Sequence, residues 1–558
     1  MGTTDLGAVS SDAASGTLVS QPPASRGRRW PWPAGFIAAG LVLFAAYLLV
    51  ARQVPVMSDG ASNQLQAWDM LHGNVLLRGW TLSRVSFYTI ELPEYMLLEA
   101  IHGLNAGSAH VASALNYTLV LIGAALLAKG RAGGREGVVR AVLAGGIMLA
   151  PTLGIGGTVT TLLANPDHVG TQIPLLAVWL ILDRARPRWF VPVSVAALLA
   201  WAQVSDQLAT FEGALPLVLV CAIRLYRRRD VLAWKPGDSW HEKLRESWYE
   251  LSLAAASIVS VEVARMTVRL IRHAGGYTVW PNATVFTSVA SVYSHVWVTV
   301  ESVIGIFGAD FSHQRLGAHV AINLVHLAGV ALAGWAFARA LRRFTSCELV
   351  VQVLAVTAVV LLLSYTLDGD YTVSQGSHEI VGLLPVGAAL AGRLLAGRLI
   401  SGRHLAALGV VLGCYLLALA HSVVQPPGND QNSQLASWLE AHHLDYGLAT
   451  YWNASVVTVD SGGRVQVIPV VRQPGTDRVA AIQWNSEPSW YNPRLHDARF
   501  LVVPGPRSGC TSGTPSQWRS AISATFGPPA ASYQADGITV LVWDKNLLDH
   551  VFKPVGLC

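Results

Sequence analysis

Charge is what this 558-residue sequence has least of. Only 13% of its residues are Asp, Glu, Lys or Arg, against 52% hydrophobic, and the mean hydropathy is +0.41. A soluble domain carries about 25% charged residues, so one large water-soluble core is excluded. The deficit comes from repeated apolar runs of about 20 residues, the length that spans a bilayer as helix. Lysine is scarcer still, with five Lys against 34 Arg. Together with abundant Ala, Gly and Val, that usage fits a GC-rich bacterial genome. Cysteine is limited to five residues with no CxxC and no Cys/His cluster, which excludes a thiolate zinc site. Cys221, Cys347 and Cys414 lie in or beside apolar runs. Cys510 and Cys558 lie near the C-terminus and are either a disulfide or two free thiols. The basic residues sit in short loops between apolar runs, so no nucleic-acid surface is indicated.

Those apolar runs dominate what is present. They fall at about 34–51, 108–128, 139–157, 170–182, 189–204, 208–223, 248–271, 317–338, 348–366, 379–397 and 404–423. The sequence therefore reads as an α-helical polytopic membrane protein with about eleven transmembrane helices. Residues 1–33 form a Ser/Ala/Gly-rich tail expected to be disordered, ending in Arg26, Arg28 and Arg29. Alternate loops carry Lys129, Arg131, Arg135 and Arg140; Arg184, Arg186 and Arg188; Arg224 and Arg227 to Arg229; Arg339, Arg342 and Arg343; and Arg393, Arg398 and Arg403. The opposite loops 158–169, 203–207 and 367–378 have no Lys or Arg. This positive-inside bias places the N-terminus in the cytoplasm and the C-terminus outside.

Two outward loops are long. In 52–107, Leu65, Trp68 and Leu71 suggest a helix along the membrane surface, with a second helix at about 94–103. In 273–316 a further surface helix is expected at about 284–300. Residues 34–424 thus form the membrane domain. After Pro426, Pro427 and Gly428 the composition changes, and 425–558 reads as an extracytoplasmic α/β domain. Helices are expected at 431–443 and near 515–525. Strands are expected at Leu448–Trp452, Val456–Val459, Val465–Val470, Phe500–Val503 and Ile538–Trp543.

Charged groups in outward loops or at membrane depth are costly and often functional. Asp59, directly after the first apolar run, is either a general base or cation ligand, or a cap for the following helix. Asp167 and His168, in Asn165-Pro166-Asp167-His168, could hold a metal or share a proton, or cap the next helix. Asp206 and Glu212 read as caps. Glu262, Arg265, Arg269 and Arg272 share one helical face, which suits a lipid phosphate or a snorkelling helix end. Arg78 and Arg84 are further candidates for an anionic head group. His378, Glu379, Asp368 and Asp370 read as solvated loop charges, with an acid–base or sugar-binding role as the alternative.

Together these features resemble the GT-C superfamily of membrane glycosyltransferases, which includes protein O-mannosyltransferases, aminoarabinose transferases and mycobacterial arabinosyltransferases. The resemblance covers about residues 34–424. It rests on Asp59 after the first helix, the long first outer loop with surface helices, the acidic motif at Asp167, and the C-terminal outer domain. Many relatives carry a second acidic residue beside the first; here Gly60 stands there. The resemblance implies transfer of a sugar from a polyprenyl-phosphate donor to an extracytoplasmic glycan, lipid or protein acceptor, with inversion, at the cell membrane. It makes Asp59 the catalytic base, with Asp167 and His168 assisting as candidate ligands of a divalent cation. Arg265, Arg269 and Arg272, with Arg78 and Arg84, would bind the donor phosphate. A transporter or flippase of a lipid-linked or anionic solute, or a non-catalytic envelope scaffold, is the competing reading.

Overall fold

The computed structural model describes residues 32–153, 158–164, 168–228, 240–281, 286–309, 318–369, 377–400, 402–473, 476–503, 514–535 and 537–555. Two units are distinguished, Met1–Val42 and Leu43–Cys558. The first holds the opening half of helix α1 (Trp32–Ala51). Everything below concerns the second.

Its membrane part is helical: α2 (Ser58–Leu71), α3 (Glu91–His102), α4 (Gly107–Lys129), α5 (Gly134–Met148), α6 (Thr158–Leu162), α7 (Gln172–Arg184), α8 (Phe190–Ser205), α9 (Leu215–Arg227), α10 (Trp240–His273), α11 (Val292–Ile306), α12 (Ala318–Arg342), α13 (Leu349–Leu367), α14 (Leu383–Leu399) and α15 (Gly402–Val423). Among the described residues seven helical stretches are long and apolar enough to cross a membrane: Gly107–Lys129, Ser247–His273, Val289–Ile306, Val320–Arg342, Leu349–Leu367, Ser377–Leu399 and Gly402–Val423. Ile37–Ala51 and Phe190–Ser205 are shorter apolar helices. The chain is a multi-pass membrane protein.

One end of the bundle is tied by Arg393 of α14. Its guanidinium pairs with Asp183 of α7 and Glu348 ahead of α13, and donates to the Leu127 carbonyl of α4 at 2.7 Å. Four helix ends thus meet around one cation. Gly130, at φ +56°, closes α4 there; a Cβ on it would sit 2.7 Å from the Arg393 Nη2. The long loop 52–107, His168 and the start of α14 lie at the opposite end. So does α11, in spite of its apolar length. The Thr287 N–H donates to the carbonyl of Leu367, the last residue of α13, at 2.9 Å. Gly308 accepts from Thr152, beyond the end of α5, at 3.1 Å. Both flanks of α11 therefore meet the same end of the bundle, and the helix lies along that end.

The C-terminal part is a seven-stranded mixed sheet in the order β7-β8-β6-β3-β4-β5-β9. The strands are β3 (Tyr446–Thr450), β4 (Gln466–Gln473), β5 (Arg478–Ile482), β6 (Phe500–Val502), β7 (Ala531–Ala535), β8 (Ile538–Val542) and β9 (Phe552–Val555). β3 runs parallel to β4 and β6, and the β4–β5, β6–β8 and β7–β8 pairs are antiparallel. Helix α18 (Pro515–Phe526) buries Trp518, Ile522 and Phe526 against one face, beside Leu448, Ile468 and Leu501. Helices α16 (Gln431–Ala441) and α17 (Tyr451–Asp460) cover the other with Leu435, Leu439, Ala454 and Val457.

Three expectations change. The strand expected at Leu448–Trp452 ends at Thr450, and Tyr451 and Trp452 open α17. Val456–Val459 is not a strand; it is the second half of α17. Ala454 and Val457 face the sheet while Val456 and Val459 face α2. A helix buried on both sides loses the apolar–polar alternation of an amphipathic helix, and its β-branched run then reads as a strand. Helix α2 likewise is not a lipid-surface helix with an apolar side: it buries Ser58, Ser62, Asn63, Gln64 and Gln66. Leu65 and Trp68 pack into a cluster with Val456 and Val459 of the C-terminal part. Asp167, Cys510 and Cys558 lie outside the described residues.

Candidate functional site

Two clusters stand at the end of the bundle away from Arg393. The first is built on α2. Its N-cap residue is Met57, so Asp59 is in the first turn and is not the cap. The Asp59 carboxylate Oδ1 accepts a hydrogen bond from the Tyr451 hydroxyl at the start of α17. That hydroxyl accepts in turn from Asn485 Nδ2 at 3.0 Å. Asn485 Oδ1 takes the Ser83 backbone N–H at 2.8 Å and Gln66 Nε2 at 3.3 Å. The contact is reinforced on α2, where Ser58 Oγ donates to the Tyr451 carbonyl at 2.7 Å and Ser62 pairs with Ser455 at 3.0 Å.

Chain segments far apart in sequence close this cluster. The short strands β1 (Thr81–Leu82) and β2 (Thr278–Val279) pair in parallel. Thr81 exchanges backbone bonds with Ser486 at 3.0 and 3.2 Å, and Trp280 N donates to the Leu82 carbonyl at 3.1 Å. Trp280 and Trp484 face each other with ring centroids 6.5 Å apart. Burial pushes the Asp59 carboxyl above the usual range, and the Tyr451 bond holds it down.

The second cluster centres on His168, which is buried at φ +60°. Its Nδ1 bonds Asp206 Oδ2 at 2.7 Å, and Thr171 donates to the same oxygen at 3.0 Å. Asp206 Oδ1 accepts the Leu208 N–H at 2.9 Å, a local cap, so Asp206 both caps and pairs. Burial raises the Asp206 carboxyl, but the charge and hydrogen bond of His168 outweigh it and the net shift is downward. Glu91 of α3 is 1% exposed and accepts from Ser205 at 3.2 Å; burial, with Asp206 nearby, drives its carboxyl well up. Glu212 is not a helix cap: it is fully buried and accepts from Gln172 at 2.7 Å. The loops are stitched together by Ser86, which donates to the Val204 carbonyl at 2.8 Å. His378 lies over His168, rings 5.4 Å apart and 4° from parallel.

His168, His378 and Glu379 bring one ligand atom each to within 4.8 Å of one another. An imidazole binds a metal in its own ring plane, and two stacked parallel planes do not converge on one ion. As they stand the rings do not fit a shared cation; one would have to turn. No step below is routed through a metal.

The basic candidates are placed as follows. Arg265, Arg269 and Arg272 are all exposed on α10. Arg265 pairs with Glu262 at 2.9 Å, while Arg269 and Arg272 have no ion pair among the described residues. Three residues past His273, Gly276 N bonds the Ile271 carbonyl and the chain turns into β2, so the arginine face leads toward β1 and Ser83. Arg84 is half-buried next to Ser83, and Arg78 is exposed. No described hydrogen bond or ion pair joins Asp59 to His168 or to the arginine face. Sequence reasoning missed Tyr451, Asn485 and Glu91; an uncharged Tyr and Asn in the distant C-terminal part carry no spacing signal.

No family model matches the chain, and no curated protein matches it in sequence. In fold it is a polytopic membrane protein with a C-terminal β-sheet domain. One solved structure of similar fold is that of ArnT from Cupriavidus metallidurans bound to undecaprenyl phosphate. The TM-score is 0.52 at 13% identity, over 91% of this chain and 97% of that one.

Proposed function

We propose that this protein is a membrane glycosyltransferase that moves a sugar from a polyprenyl-phosphate donor to an acceptor hydroxyl, with inversion. The observation that carries the reading is Asp59: a partly shielded carboxylate at the start of α2, fixed by Tyr451, at the end of the bundle that α11 and the first outer loop surround. The fold relative that binds undecaprenyl phosphate supports the choice of donor class. In this reading residues 34–424 are the catalytic membrane domain and 425–558 the acceptor-side domain. The basic loops are cytoplasmic, and the clusters and the C-terminal domain are extracytoplasmic. Actinobacterial origin and kinship to O-mannosyltransferases belong to the same proposal.

The chemistry needs a base and a home for negative charge. Asp59 takes the proton of the acceptor hydroxyl as its oxygen bonds the anomeric carbon. The bond from that carbon to the phosphate oxygen breaks, and polyprenyl phosphate leaves as the anion. Arg269 and Arg272, with Arg265, Arg84 and Arg78 as the further cations, hold that phosphate and stabilise the charge it gains. Asp167 and His168 assist at the acceptor side; a divalent cation there is part of the proposal only if a ring turns.

The test is a panel of radiolabelled polyprenyl-phosphate sugars offered to membranes containing the protein. One donor should be consumed, and Arg269→Ala or Arg272→Ala should weaken its binding about 10- to 100-fold, the worth of a charge-assisted hydrogen bond. Unchanged donor affinity in both variants and in Arg265→Ala would leave only a snorkelling helix end.

A further inference from the structure

Asp59 and Tyr451 lie 392 positions apart in sequence and yet share a hydrogen bond. Asp59 is half-buried, and its Oδ2 accepts no hydrogen bond among the described residues. Oδ1 is occupied by Tyr451. The tyrosine cannot swing away cheaply. Its hydroxyl is held by Asn485 and its carbonyl by Ser58, and its ring is buried to 1% exposure. Asn485 is itself held at φ +46° by the Ser83 N–H and Gln66. This chain of bonds runs from the C-terminal sheet domain into the first outer loop and ends on one oxygen of one carboxylate.

We propose that Tyr451 is a positioning residue for Asp59, so that the C-terminal domain completes the active centre. The proposal rests on the glycosyltransfer reading for its catalytic consequence, but not for its physical content. By fixing Oδ1, Tyr451 leaves Oδ2 as the carboxylate oxygen with no hydrogen bond among the described residues. By donating to the carboxylate, it favours the ionised form that a base must have. Tyr95 of α3 packs in the same cluster as Ala61 and Ala67 of α2, and among the described hydrogen bonds Tyr451 is the titratable group that reaches Asp59. Glu91, Glu94 and Glu99 on α3 and His110 on α4 form no hydrogen bond with it.

The experiment uses the full chain in detergent. A hydrophobic carbodiimide adds to a protonated carboxyl to give an N-acylurea, and mass spectrometry of the Asp59 peptide reads the labelled fraction against pH. Tyr451→Phe keeps the ring and removes the donor. Its labelling midpoint should move to higher pH, with the melting temperature little changed. Asn485→Gly, which keeps the positive φ and removes the amide, should move it the same way by less. With a donor found by the panel, Tyr451→Phe should lower kcat about 10- to 100-fold and leave the donor KM alone. An unmoved midpoint in a folded Tyr451→Phe overturns the proposal. A moved midpoint with no donor turned over by the unaltered protein overturns the glycosyltransfer reading and leaves the Tyr451–Asp59 coupling standing.

Discussion

His168 and Asp206 face each other at 2.7 Å, Nδ1 to carboxylate, with side chains 3% and 0% exposed. Thr171 and the Leu208 N–H take the rest of the carboxylate. Removing one member of so buried a pair leaves the other uncompensated, which costs about 3–5 kcal/mol. Asp206→Ala should therefore lower the melting temperature sharply, while Thr171→Ala should cost about 1 kcal/mol. The pH sign follows from the depressed Asp206 carboxyl. The group's contribution is complete above its unfolded value of about 3.9 and is lost as pH falls through the lower folded one. The gap between the unaltered protein and Asp206→Ala should thus narrow only in acid. A gap that narrowed between pH 6 and 8 would assign the pairing to the histidine's titration instead.

Much of this architecture is legible in the sequence, and the part that is not has a physical reason. Each apolar run has a helix on it because a bilayer leaves the backbone no other way to satisfy its bonds. The expected outer clusters were visible as acids next to helix ends, Asp59 and His168 among them. What was hidden is tertiary. The polar buried side of α2 shows no lipid face because α17 covers it, and α17 showed no helical period because two partners bury it. The partner of Asp59 could not be read at all, since Tyr451, which Asn485 holds in turn, lies 392 positions away in sequence.

Glu99 of α3 is 2% exposed, neither carboxylate oxygen has a hydrogen-bond partner among the described residues, and burial pushes it up to about 9. Its folded value lies above the unfolded one, so folding binds the proton. Stability should fall as pH rises from about 4.3 to the folded value and level off beyond it. Glu99→Gln cannot ionise and should escape that loss. Melting curves at several pH values should show the variant gaining on the unaltered protein between pH 5 and 9. A constant difference across that range would mean Glu99 keeps its ordinary ionisation.

Arg393 offers a test at the other end of the bundle. Its pairing with Asp183 is buried, whereas the Glu348 side chain is 76% exposed. Arg393→Ala should cost about 3–5 kcal/mol by stranding Asp183. Glu348→Ala should cost no more than about 1 kcal/mol, because an exposed partner is screened by water. The double change Arg393→Met with Asp183→Leu should recover most of the loss, since two apolar groups leave no charge buried. Thermal unfolding of the three variants in one detergent separates them. Equal losses for Glu348→Ala and Arg393→Ala would mean that the exposed carboxylate matters as much as the buried one.

Asp59 decides between a base and a structural carboxylate. Acceptor hydroxyls are weak nucleophiles at neutral pH, and a positioned base that removes the proton as the bond forms contributes about 10²–10⁴-fold. Asp59→Asn keeps the size of the side chain and an oxygen able to accept from Tyr451, but it cannot take a proton. Because Met57 is the N-cap of α2, helix capping does not depend on residue 59, and the variant should fold with a nearly unchanged melting temperature. Turnover of the donor found in the sugar panel should then fall by 10²-fold or more, while donor binding, which the proposal assigns to the arginines, should survive. Burial raises the Asp59 carboxyl, so the acid limb of kcat should lie above the pH expected of a solvated aspartate and vanish in Asp59→Asn. Near-normal turnover in that variant would show that Asp59 only anchors Tyr451 and the C-terminal domain, and would move the search for the base to the cluster around His168.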